Sequence, residues 1–107
     1  MANGKKILIV ENNPEAVNDL RNKLESLGYD IHAVTDDGHE AVNIATADHP
    51  DLVLLNLKLN AQVEKGKNVA SIFRQKLRIP VVFLSSENPF DEATLGSVLQ
   101  KVLKNYG

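Results

Sequence analysis

The sequence predicts an α/β domain, a parallel sheet with helices on both faces, and three observations carry that prediction. Short β-branched apolar runs alternate with segments whose apolar residues recur every three or four positions. That is the pattern of strand–helix–strand units joined by right-handed crossovers. The run Pro50-Asp51-Leu52-Val53-Leu54-Leu55-Asn56 is apolar at consecutive positions, as a strand buried on both faces must be. In the last segment Leu95, Val98, Leu99, Val102, Leu103 and Tyr106 form one unbroken helical stripe.

Bulk properties narrow the function classes. A chain of 107 residues reads as one domain, able to bury roughly two-thirds of the surface its unfolded form exposes. It has no cysteine, hence no disulfide, and a reducing compartment is permitted. The formal net charge is −2 with dispersed basic residues, which disfavours a nucleic-acid partner. Its apolar runs are too short for a membrane span or a signal-peptide core. The expected location is the cytoplasm.

In chain order, Lys5 to Val10 is the first strand, ended by Glu11-Asn12-Asn13. Asn13 is a helix N-cap and Pro14 the first helical residue. Ala16, Val17, Leu20, Leu24 and Leu27 form that helix's inner face, and Gly28 follows as a left-handed cap. Tyr29 to Val34 alternates more strongly, as an edge strand does. After the turn Asp36-Asp37-Gly38, a helix is expected from about His39 to Asp48, stopped by His49-Pro50. The third strand is Leu52 to Asn56. A loop is expected over 57–65, then a helix from about Gly66 to Lys76, then a fourth strand from Val81 to Leu84 that closes on Ser85-Ser86. For the last helix Asp91 is a good N-cap and Phe90 a hydrophobic staple for Leu95.

Chemistry in an open parallel sheet gathers just beyond the carboxyl ends of the strands. Glu11, Asn12, Asn56 and Ser85 all fall there. Each also has a plainer reading. Asn56 caps a buried strand, Glu11 and Asn12 sit equally well in a solvated loop, and hydroxyls at strand ends are commonplace. His32, His39 and His49 lack metal-ligand or triad spacing and read as surface residues. Lys58, Lys65 and Lys67 read as a solvated group. No Gly-rich loop follows the first strand, which counts against a nucleotide or flavin site.

Four stretches together carry a resemblance: Ile7 to Pro14, Pro50 to Asn56, Ile79 to Ser86, and Asn88-Pro89-Phe90-Asp91-Glu92. Across essentially the whole chain, 1–107, and in this order, they resemble the response-regulator receiver domain of two-component (phosphorelay) signalling. The resemblance implies a flavodoxin-like, CheY-like three-layer sandwich. It also implies a reaction, phosphoryl transfer from a kinase histidine to an aspartate. In that family the acceptor ends the third strand, an acidic pair after the first strand helps hold Mg²⁺, a hydroxyl residue ends the fourth, and a Lys-Pro follows the fifth. Carried over by position, the acceptor is Asn56, the acidic pair is Glu11 and Asn12, the hydroxyl is Ser85, and the lysine position is Asn88.

Three of these are departures in one direction. A neutral amide is a poor nucleophile and a poor replacement for a charged metal ligand. Glu11, with a backbone carbonyl near Lys58, would be a thin Mg²⁺ site, so no cofactor is expected unless that pocket retains residual binding. The stretch from Ser85 to Asn88 is also too short to hold the helix and strand that the family places between these motifs. The expectation is therefore a sheet of about four strands, order 2-1-3-4. Its fourth strand would be an exposed hydrophobic edge, with part of one sheet face left bare.

The leading expectation is a degenerate receiver (a pseudo-receiver): no enzyme, but a phosphorylation-independent interaction or dimerisation module. Its partners would be a histidine kinase, another regulator, or a second copy bound through the fourth-strand edge or the last helix. The alternatives are a phosphoacceptor regulator whose acidic site residues were replaced, and a small-ligand-binding flavodoxin-like domain using the same rim.

Overall fold

The computed structural model describes residues 4–56, 63–84 and 90–106. The described strands form one parallel sheet in the order β2-β1-β3-β4. These are β1 (Lys6–Val10), β2 (Asp30–Thr35), β3 (Leu52–Asn56) and β4 (Val81–Leu84). Between and after them come α1 (Pro14–Ser26), α2 (Gly38–Asp48), α3 (Val63–Ile72) and α4 (Glu92–Tyr106). The end of α3 widens into a π turn at Phe73–Leu77.

The sheet is the middle of three layers because its central strands are apolar on both sides. Ile7, Ile9, Leu52, Leu54, Val82 and Leu84 join Leu20, Leu24, Leu95 and Leu99 of α1 and α4 in one buried cluster. Leu8, Val10, Val53, Leu55 and Val81 join Ala41, Ala45, Val69, Ala70 and Phe73 of α2 and α3 in the other. Successive strand residues point to opposite faces, so a consecutive apolar run feeds both clusters. Each fully buried Leu or Ile contributes about 1.5–3 kcal/mol of transfer free energy. The small Ala41 and Ala45 are completely buried, so the most deeply set positions of α2 are small, with Val42 and Ile44 packed beside them.

The helix ends follow the local chemistry. Asn13 Oδ1 accepts from the N–H groups of Glu15 and Ala16, with Pro14 behind it where no N–H is needed. Gly28, at φ +91°, donates to the Glu25 carbonyl, and Tyr29 N–H reaches back to Leu24. This is a Schellman closure, and its left-handed residue favours glycine. Asp37 caps α2 through His39 N–H. His49 ends that helix in the left-handed region at φ 48°. The following Pro50 bars it from the helical region.

Two expectations change. Helix α3 begins at Val63, before the Gly66 start that the sequence suggests. Gly66 is a poor helix former, yet the segment is held because Val69, Ala70 and Phe73 bury against the sheet. The bare part of the sheet face is also narrower than expected among the described residues of β4. Val82 and Leu84 are only 7 and 8% exposed, and Val81 9%. The α4 stripe covers the first two, and the α3 side covers Val81. Only Phe83 is left half-buried, with the Arg74 guanidinium 5.2 Å from its ring centroid. The backbone edge of β4 away from β3 pairs with no described strand.

Candidate functional site

The rim is assembled by the pairing of β1 with β3. Their register runs Ile7↔Leu52 through Val10↔Leu55, so the next residues in line are Glu11 and Asn56. Both continue the parity of Ile7, Ile9, Leu52 and Leu54, and neighbouring strands lie about 4.8 Å apart. The two side chains therefore meet, although they are separated by 45 residues of chain.

Their contact is a hydrogen bond. Asn56 Nδ2 donates to Glu11 Oε1 at 3.0 Å, and both residues are buried, at 8 and 5% exposure. A carboxylate only accepts, so the nitrogen end of the amide must face it. The same Oε1 also accepts from the backbone N–H groups of Asn12 and Asn13, each at 3.1 Å. Glu11 is held from the other side by its own N–H, which donates to the Thr35 carbonyl at 3.0 Å. Among the described residues, no buried side-chain nitrogen or oxygen is left without a partner.

Among the described residues, this donor set does not fit Mg²⁺. The ion demands near-octahedral oxygen coordination and sheds its waters reluctantly. Here the Glu11 oxygen nearest Asn56 is already taken by three N–H donors, and Asn56 turns its nitrogen toward it. Asn12 contributes its backbone N–H, while its side chain is exposed. Asn56 thus meets the Glu11 carboxylate with a hydrogen-bond donor and not with a second charged ligand.

The remaining sequence-predicted residues divide. Ser85 and Asn88, the hydroxyl and former-lysine positions, lie outside the described residues, as do Lys58 and the side chain of Lys65. The histidines do not converge. His32 Nε2 pairs with Asp48 at 2.8 Å, His49 Nε2 bonds the Leu77 carbonyl at 3.0 Å, and His39 is exposed. Among the described residues no three His, Asp or Glu side chains gather as metal ligands. No described helix is long and apolar enough to cross a membrane.

Two features escaped the sequence reading. Thr35 is buried at the end of β2, and its hydroxyl accepts from Asp37 N–H. It sets the turn that backs Glu11. Beside it an open crevice of about 720 Å³ runs between the start of α1, the end of β2 and α2. Its available signal was the set of acidic residues just past two adjacent strands and in the first turn of α2: Glu11, Asp36 and Glu40.

Residues 7–103 match the model of the response regulator receiver domain. The chain is 32% identical over 92 residues to the alkaline phosphatase synthesis transcriptional regulatory protein PhoP of Bacillus subtilis. That match covers 86% of this chain but only 38% of the regulator. The signal receiver domain of a modulated diguanylate cyclase from Desulfovibrio desulfuricans, described as an example of alternate folding, superposes with a TM-score of 0.86. The two are 27% identical, and 97% of each chain is covered. The receiver domain of a sensor histidine kinase from Pseudomonas aeruginosa, solved with magnesium coordinated in its active-site cleft, superposes at 0.79. It is 26% identical, with 94% of this chain and 98% of that one covered.

Proposed function

We propose that this chain, which belongs to the response regulator receiver domain family, works as a signalling module that docks onto protein partners without being phosphorylated. One observation carries the reading. At the acceptor position a buried amide, Asn56, donates to Glu11 Oε1 at 3.0 Å. Receiver chemistry needs a carboxylate oxygen there, both to attack phosphorus and to help hold a divalent cation. Asn56 supplies neither, and its nitrogen faces the residue with which it would share the ion. The domain accordingly takes no cofactor and performs no phosphotransfer, and it is held in one state by a contact within the fold.

Signalling in this reading is by surface, in the cytoplasm, with a histidine kinase or another regulator as partner. The β4 edge supports self-association as well. Its outward N–H and C=O groups pair with no described strand, and an unpaired apolar edge is a template for a second chain. A homodimer through this edge or through α4 follows.

The test is incubation with acetyl phosphate and Mg²⁺, followed by intact mass. The mass is expected to stay unchanged. A stable gain of one phosphoryl group on the natural chain defeats the reading. Light scattering at micromolar concentration should return twice the chain mass, and a monomer would remove the edge-pairing part alone.

A further inference from the structure

The geometry points to a second place of action: the crevice between α1, β2 and α2, as the docking site for a lysine- or arginine-bearing segment of a partner protein. This inference rests on the reading above that the domain acts by docking, and it names where and with what chemistry. The crevice is distinct from the Asn56 contact, because Asn56 does not line it and Glu11 is shared between them.

Its floor is apolar and its walls are acidic. Val17 and Val34 are half-buried at the bottom, while Glu15, Asp36 and Glu40 stand exposed around them. Glu11 is 5% exposed and lines the inner end. Its Oε1 carries three hydrogen bonds. Among the described residues, Arg21 is the one basic residue of the lining. Four carboxylates against one guanidinium are thus gathered at one crevice, on a chain whose formal net charge is only −2. The excess is local.

Charge complementarity decides the occupant. A crevice lined by one sign of charge over low-dielectric walls concentrates groups of the opposite sign. Lys and Arg side chains lay an apolar stem on an apolar floor and keep their charged head at a polar rim. That division matches Val17 and Val34 below and Glu15, Asp36 and Glu40 above. An acidic segment would be repelled here. A purely apolar one would leave the carboxylates desolvated and unpaired, which is costly.

The probe is a short basic peptide, acetyl-Leu-Lys-Arg-Leu-Lys-amide, titrated into ¹⁵N-labelled protein in EDTA without phosphodonor. The control is the same peptide with glutamine at each basic position. Amide shifts are expected to cluster at Asn12, Val17, Asn18, Val34, Thr35, Asp36 and Glu40, for the basic peptide only. The triple variant Glu15→Gln, Asp36→Asn, Glu40→Gln should bind about tenfold more weakly, since it removes three exposed charge pairs of modest strength each. Added salt should weaken binding further. Shifts elsewhere, equal response to the neutral peptide, or an unaffected triple variant would each overturn the assignment. If the basic peptide binds as described but acetyl phosphate modifies the chain, the crevice stands and the phosphorylation-independent reading falls. If the mass is unchanged and the peptide fails, the reverse holds.

Discussion

The substitution Asn56→Asp would turn the hydrogen bond at the rim into a repulsion. In the natural chain Asn56 Nδ2 lies 3.0 Å from Glu11 Oε1, with both residues buried. An aspartate places a second carboxylate oxygen at that distance and removes the donor. At an effective dielectric of about 20, two unit charges about 3 Å apart repel by roughly 5 kcal/mol. Relaxation and uptake of a proton reduce that cost, because one member of a close carboxyl pair has its pKa raised. The expected loss is about 2–4 kcal/mol in urea unfolding near pH 8 with EDTA, including the forfeited hydrogen bond to a charged group.

The pH dependence has a definite sign. For the introduced carboxyl the folded pKa lies above the unfolded one, so the folded state binds more protons between the two values, and stability falls as pH rises through them. The variant should therefore approach the natural protein below about pH 4 and diverge from it above. Mg²⁺ should reverse part of the loss by screening the pair. At about 10 mM ion and a dissociation constant on the order of 1 mM, linkage returns about 1.4 kcal/mol, while the natural chain should not respond. A loss under about 0.5 kcal/mol near pH 8, or equal Mg²⁺ effects on both proteins, would refute the claim that the amide donor stabilises the rim without an ion.

Other expectations concern the frame that holds the rim. At Gly96 of α4, a β-carbon would sit 3.1 Å from Leu27 Cδ2 of α1. Gly96→Leu should cost about 1–3 kcal/mol by overpacking, and Gly96→Ala should stay within about 1 kcal/mol as helix propensity offsets the crowding; chemical denaturation measures both. Lys23 Nζ donates to Asp19 and to the Phe90 carbonyl, each at 2.7 Å. Lys23→Met should cost about 0.5–1.5 kcal/mol and speed hydrogen exchange in the first turn of α4. The Asp91 carboxyl is held below the usual carboxylate range, first by the Thr94 backbone N–H that it caps. Its contribution is present above that range and lost as pH falls through the lowered value. Asp91→Ala should lower Tm at neutral pH, and the gap should close in acid.

Much of the frame was written locally. Asn13-Pro14, Gly28, Asp37 and Asp91 each act on backbone groups within a few residues, so their roles are visible without the fold. The strand spans were legible for the same reason, and their order followed from the alternation of elements together with the family resemblance. The π turn at Phe73–Leu77 carries no such signal. Arg78 closes it in the left-handed region at φ 57°, where glycine would be the expected residue. His49 likewise found its partner, the Leu77 carbonyl, 28 residues away, through packing alone.

By itself, then, the sequence determined that Glu11 would follow the first strand, that Asn56 would end the third, and that an amide would stand at the second of these positions. Local propensity and residue chemistry suffice for that. Only the tertiary structure decided that the amide nitrogen would reach the carboxylate, that α4 would close over Val82 and Leu84, and that acidic residues from α1, α2 and the loops after β1 and β2 would line one crevice. Those outcomes depend on parallel pairing and helix packing across tens of residues, and no short-range pattern encodes such distances.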